Sequence, residues 1–145
     1  MTQRQSPSTR RRAFTLVEML VVIAIIGLIA AIVVPQVMHR MDQARIKTTK
    51  MQIRELENAV DMFKMDNGFY PSRLDDLVRR PPNVKSWPPN GYIKELPVDG
   101  WGNGFEYRYP GTYGAFDIRS FGADGREGGE EENADVANYA SAQPL

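Results

Sequence analysis

The chain has no cysteine and a single histidine, His39, in 145 residues. The first absence removes disulfide scaffolds, thiolate metal sites and cysteine nucleophiles. The second makes a His-dependent hydrolase or a zinc enzyme a poor fit, because triads need a positioned imidazole and zinc sites usually take several His or Cys. An excess of one charge is missing too, with 18 Lys+Arg against 18 Asp+Glu. No uniform field therefore points to nucleic acid. A Gly-x-x-x-x-Gly-Lys-Ser/Thr loop is absent as well, so the chain has no such phosphate cradle for a nucleotide.

What the chain does have is concentrated near its start. Met19 to Met38 is a run of 20 residues without a charge, and Phe14 to Glu18 before it adds only one. Twenty helical residues rise about 30 Å, enough to cross the hydrocarbon core of a bilayer. Met1 to Ala13 carries Arg4, Arg10, Arg11 and Arg12 and no acid, which leaves 14 basic and 18 acidic residues from Phe14 onward.

Three readings of this N-terminus compete. A secretory signal peptide has an apolar region of about 7–15 residues and a small-x-small cleavage site. This run is longer, and Pro35-Gln36-Val37-Met38 offers no such site. A plain signal anchor accounts for the length, but Arg40, Arg45, Lys47 and Lys50 beyond the span balance the four arginines before it, so charge sets no orientation. The third reading rests on the junction, where Arg10-Arg11-Arg12-Ala13 meets Phe14-Thr15-Leu16-Val17-Glu18 and an uninterrupted apolar stretch. That junction resembles the class III signal of type IV pilins and type II secretion pseudopilins. The resemblance implies cleavage between Ala13 and Phe14 by a membrane peptidase that also methylates the new Phe14 amine, so the apolar helix survives processing. Ala13 departs from the family pattern, in which Gly most often precedes the cut.

An ionised carboxylate inside an apolar helix costs several kcal/mol unless it is paired or reaches the interface. Glu18 can meet that cost by leaning toward headgroup water. In the context of the motif, the favoured reading is that it accepts a charge-assisted hydrogen bond from the Phe14 amine of a neighbouring subunit and so sets axial register in a fibre.

Pro35 removes one helical hydrogen bond and disfavours helical angles at Val34, which predicts a kink without a break. The apolar spacing then continues through Ile46, Thr49, Ile53, Leu56, Val60 and Phe63 in steps of three and four, with charged residues on the other faces. Asp66-Asn67-Gly68 supplies a stop compatible with left-handed backbone. A single helix from about Phe14 to about Asn67 would be roughly 80 Å long.

From Phe69 the composition turns to Pro, Gly and aromatics. A short polar helix is expected around Ser72 to Arg79, followed by a proline-marked loop. Tyr92-Ile93 is a weak strand candidate. Phe105 to Tyr109 and Phe116 to Ser120 alternate as strands do, with Gly111-Thr112-Tyr113-Gly114 as a hairpin connection. Trp101 is expected to anchor the turn-rich loop before them. So few strands need the long helix to pack on.

Asp124 to Asp135 holds six carboxylates in twelve residues, offset by Arg126 alone. Such a run reads as a solvated acidic tail. Oxygen ligands on a Gly-rich loop also suit Ca²⁺, although the spacing is not that of an EF-hand.

Several segments in order, namely Pro97-Val98-Asp99-Gly100-Trp101-Gly102-Asn103, Phe116-Asp117-Ile118, Gly122-Ala123-Asp124-Gly125, Glu127-Gly128-Gly129-Glu130 and Asn133-Ala134-Asp135-Val136, resemble the major pseudopilin family of type II secretion. With the N-terminal signal, the resemblance covers almost everything from Ala13 to Tyr139, leaving out the Arg79 to Asn90 loop. It implies an α+β, pilin-like fold, in which a long N-terminal helix packs on a small antiparallel sheet with a C-terminal loop. The implied divisions are a leader over 1–13, a transmembrane and assembly helix over 14–38, the amphipathic half of that helix over 39–67, and a periplasmic globular part over 68–145. The function implied is that of a structural subunit, not an enzyme. It would sit in the bacterial inner membrane as a single-pass protein and polymerise into a periplasmic pseudopilus that drives protein export across the outer membrane. The implied partners are further copies of the chain, minor pseudopilins, prepilin peptidase and an inner-membrane assembly platform.

The resemblance also favours Ca²⁺ over the acidic tail, with Asp124 and Asp135 as side-chain ligands, the Phe121 and Val136 carbonyls as further ligands, and Glu127 or Glu130 in reserve. Two alternatives fit less well. Type IV pilus subunits usually carry a C-terminal disulfide, which a chain without cysteine cannot form, and a DNA-uptake pilin should show a basic patch where acids outnumber bases from Phe69 onward.

Overall fold

A computed structural model describes residues 14–139. The proposed leader over 1–13, including Ala13, lies outside the described residues. The chain divides into two units, residues 1–39 and 40–145. Helix α1, Leu16–Asn67, is continuous through Pro35.

In the first unit every described residue is exposed. An 18-residue window of α1 has a mean hydropathy of 3.0 and none of it is buried. Ile23, Leu28 and Ile32 are each about 60% exposed or more. A helix apolar on all its faces needs lipid or other protein around it.

The second unit is built on the periodic row of α1. Thr49, Ile53, Leu56, Ala59, Val60 and Phe63 are buried, and the expected spacing holds apart from Ile46, which is half-buried. The apolar members, Ile53 to Phe63, pack against Leu74, Leu77, Val84, Phe116, Ile118 and Val136. Helix α1 stops where Gly68 takes a φ of 85° and donates its N–H to the Lys64 carbonyl at 2.7 Å. Asn67 also pins the proline-rich loop, because its side-chain oxygen accepts the Lys85 and Ser86 amides at 3.1 Å.

Three strands form one antiparallel sheet in the order β1 (Glu106–Arg108), β2 (Asp117–Ser120), β3 (Val136–Ala137). Tyr107 pairs with Ile118 and Ser120 with Val136. The expected hairpin joins β1 to β2, closed by Gly111 donating to the Ala115 carbonyl at 3.1 Å. Three local expectations differ. Tyr92-Ile93 is not a strand, because both amides donate to the Leu77 carbonyl instead of a ladder. The helix expected around Ser72 to Arg79 contracts to a 3₁₀ turn at Leu74–Leu77, where the Asp76 carboxylate takes the Ser72 and Arg73 amides. Trp101 is half-buried, and its enclosed Nε1 has no hydrogen-bond partner among the described residues.

A polar chain of contacts carries the α1 surface to the C-terminal loop. Thr49 is fully buried, donates to the Arg45 carbonyl at 2.9 Å and accepts the Gly100 amide at 2.9 Å. The neighbouring Asp99 accepts the Trp101 and Asn103 amides and, at 2.6 Å, the Ser120 hydroxyl, which in turn accepts the Gly122 amide at 3.2 Å. A Cβ on Gly100 would lie 2.5 Å from the Arg45 carbonyl oxygen. Since the obstacle is helix backbone, Gly100→Ala is expected to destabilise the second unit by about 1–3 kcal/mol. Chemical denaturation of the full chain in detergent micelles checks this, and an unchanged midpoint would contradict the close approach.

Candidate assembly and metal sites

The start of α1 organises Glu18. Its Oε2 accepts the Thr15 amide at 2.8 Å and the Thr15 hydroxyl at 3.2 Å, while Thr15 Oγ1 accepts the Glu18 amide at 3.2 Å. This reciprocal pairing is a capping box, in which two otherwise orphaned helix-start amides are satisfied. Thr15 was not among the residues singled out from sequence, although Thr-x-x-Glu ahead of an apolar run is a readable signal. The pairing holds the Glu18 carboxylate at the first turn of α1, against Thr15, the residue that follows Phe14.

The second candidate site is the stretch from Phe121 to Val136. Ala123 donates to the Glu132 carbonyl at 2.9 Å, and pairing of β2 with β3 sets Ser120 opposite Val136. The two limbs are therefore closed on each other. A Cβ on Gly122 would meet the Asn133 carbonyl carbon at 2.8 Å, and one on Gly129 would meet the Asn133 oxygen at 2.5 Å. Asp124 Oδ1 accepts the Arg126 amide and Asp135 Oδ1 accepts the Gly128 amide, both at 3.1 Å. Phe121 and Val136 lie at the two roots of the loop, Val136 buried and Phe121 half-buried.

Among the described residues, no three Asp, Glu, His or Cys side chains are gathered closely enough to hold a metal by themselves. A site of two carboxylates completed by backbone carbonyls needs no third acid, and an all-oxygen donor set matches a hard cation such as Ca²⁺. The glycine-cradled closure joins the limb that bears Asp124 to the limb that bears Asp135 through Ala123 and Glu132, and the oxygen donors on the two limbs fit the chemistry of that ion.

Glu127 is already engaged. Its Oε1 lies 2.7 Å from Arg119 Nη1, whose Nε donates to Glu106 on β1. These two hydrogen bonds push the Arg119 pKa further above its ordinary value, and Arg119 holds the Glu127 carboxyl below the usual glutamate range. Arg119 Nη1 also stands 3.8 Å from Asp135 Oδ2. Sequence reasoning missed this arginine, since in an alternating strand it reads as a solvent-facing residue.

Residues 36–139 match the family described as type II secretion system (T2SS), protein G, and residues 8–34 match the prokaryotic N-terminal methylation motif. The chain belongs to the type II secretion system protein G family. It is 48% identical over 136 residues to the type II secretion system core protein G of Pseudomonas aeruginosa, covering 90% of this chain and 96% of that one. It is 42% identical to the Vibrio cholerae core protein G, covering 90% and 92%. The crystal structure of the major pseudopilin from the type 2 secretion system of enterohaemorrhagic Escherichia coli superposes with a TM-score of 0.62 at 34% identity, covering 74% of this chain and 94% of that one. The pilin-like α+β fold expected from sequence is thus the fold of the family, and the family is one of structural pseudopilins.

Proposed function

We propose that the chain is the structural subunit of a type II secretion pseudopilus. It is cut by prepilin peptidase between Ala13 and Phe14, methylated at the Phe14 amine and stored in the bacterial inner membrane with its C-terminal part in the periplasm. From there it polymerises with further copies and minor pseudopilins on an inner-membrane assembly platform, and the growing fibre drives protein export across the outer membrane. The observation that carries this reading is the wholly exposed apolar half of α1, which needs lipid before assembly and neighbouring helices after it. The methylation motif over residues 8–34 supports retention of that helix through processing.

Within this reading, Glu18 aligns each subunit by accepting the Phe14 amine of a neighbour, and Pro35 kinks α1. The C-terminal loop holds Ca²⁺ through Asp124 and Asp135, with the Phe121 and Val136 carbonyls as further ligands. The ion neutralises charge that would otherwise force the loop apart. Gly122 and Gly129 let the limbs close, and the Asp99–Ser120–Gly122 contacts hold the start of the loop on the second unit.

The test is electron microscopy of cells overproducing the chain together with a type II secretion assembly platform. Fibres labelled by an antibody to this chain are expected. Chain confined to the inner membrane, with no labelled fibre, would contradict the proposal.

A further inference from the structure

Arg119 has a setting the pseudopilin role does not require. Its side chain is 15% exposed although it extends from β2 on the sheet side shared by Glu106 and Asp117. The guanidinium meets carboxylates from three places: Glu106 on β1, Glu127 in the acidic loop and Asp135 at the loop's far end. Its Cζ stands 4.5 Å from the centre of the Phe121 ring, at the start of the same loop. One cation is therefore in contact with the beginning, the middle and the end of the loop.

The three ion pairs are unequal. Those to Glu106 and Glu127 are hydrogen bonds, whereas the 3.8 Å approach to Asp135 is too long for one. Asp135 can thus be released while Arg119 keeps its two stronger partners. Asp135 is also a proposed ligand of Ca²⁺, so the guanidinium stays beside the metal as a like charge.

We propose that Arg119 is a resident cation of the loop, which ties the loop to the sheet when Ca²⁺ is absent and weakens Ca²⁺ binding when it is present. This rests on the Ca²⁺ reading above. Charge on Arg119 therefore positions the loop and sets how much Ca²⁺ the subunit needs.

The experiment uses the full chain in detergent micelles, with Ca²⁺ affinity measured by calorimetry and the thermal midpoint measured in chelator. Arg119→Gln is expected to bind Ca²⁺ on the order of tenfold more tightly, because a neighbouring like charge is gone. Its midpoint in chelator is expected to fall below that of wild type. Arg119→Lys keeps the charge and should restore an affinity within about twofold of wild type, a result that packing alone would not give. Arg119→Met, which retains the stem against Phe121, carries the same test should the Gln variant not fold in chelator. Wild-type binding with equal or weaker affinity in the neutral variants would overturn the inference and leave the Ca²⁺ reading standing. An undiminished midpoint in chelator would also overturn it. Absence of Ca²⁺ binding by wild type would overturn the Ca²⁺ reading and this inference with it.

Discussion

Chelating calcium from the full chain in detergent micelles is expected to lower the thermal midpoint of the second unit by about 10 °C or more. Six carboxylates crowd residues 124–135, and Arg126 and Arg119 offset only part of that charge. An ion held by the folded loop and not by the unfolded chain stabilises by mass action, about 2.7 kcal/mol at a hundredfold excess over the dissociation constant. For a domain of about 100 residues, each kcal/mol moves the midpoint by about 4–8 °C. Asp124→Ala should cancel most of the difference between Ca²⁺ and chelator by removing one of two side-chain ligands. Thermal unfolding followed by tryptophan fluorescence gives both numbers. Equal midpoints for wild type in Ca²⁺ and chelator would leave the loop as a solvated acidic segment.

Glu18→Ala is expected to reduce fibre assembly by about tenfold or more while the second unit stays folded. Removing a carboxylate from lipid makes insertion easier, so the loss has to arise between subunits. A hydrogen bond to a charged group contributes about 1.5–3 kcal/mol, and tenfold in an equilibrium corresponds to about 1.4 kcal/mol. The capping box complicates the Ala variant, because losing it costs the helix start about 1 kcal/mol. Glu18→Gln separates the effects, since Gln can still reach the Thr15 amide but offers no charge to a neighbouring amine. Both variants should accumulate in membranes and be depleted from sheared fibres, as read by immunoblot. Normal fibre yield from Glu18→Gln would reduce Glu18 to a helix cap.

Much of this architecture was legible because local rules and tertiary packing agree in it. The row from Thr49 to Phe63 has one period and one buried face, and Gly68 ends α1 with the positive φ that the Asp-Asn-Gly sequence implies. Strand β3 was not legible, since Val136–Ala137 is too short to alternate and exists by pairing with β2. The Tyr92-Ile93 segment misled for the opposite reason: its residue types suit a strand, yet its amides are spent on Leu77. At the candidate sites, the six acids were visible as charge, but their division was not. Glu127 is drawn to Arg119, Asp124 turns toward a loop amide and Asp135 meets both a loop amide and Arg119, and that sorting depends on contacts across the sheet. The Thr15 cap lay in plain view and was overshadowed by the question of what a lone acid does in an apolar run.

Processing as a pseudopilin should keep the apolar half of α1 and cut the chain immediately before it. Intact-mass spectrometry of the chain extracted from membranes of a strain with active prepilin peptidase measures this directly. The expected mass is that of the chain beginning at Phe14 with one added methyl group, and fragmentation should place the methyl on the Phe14 amine. A mass that retains Met1 to Ala13, or one that has lost the apolar run through Met38, would contradict the account.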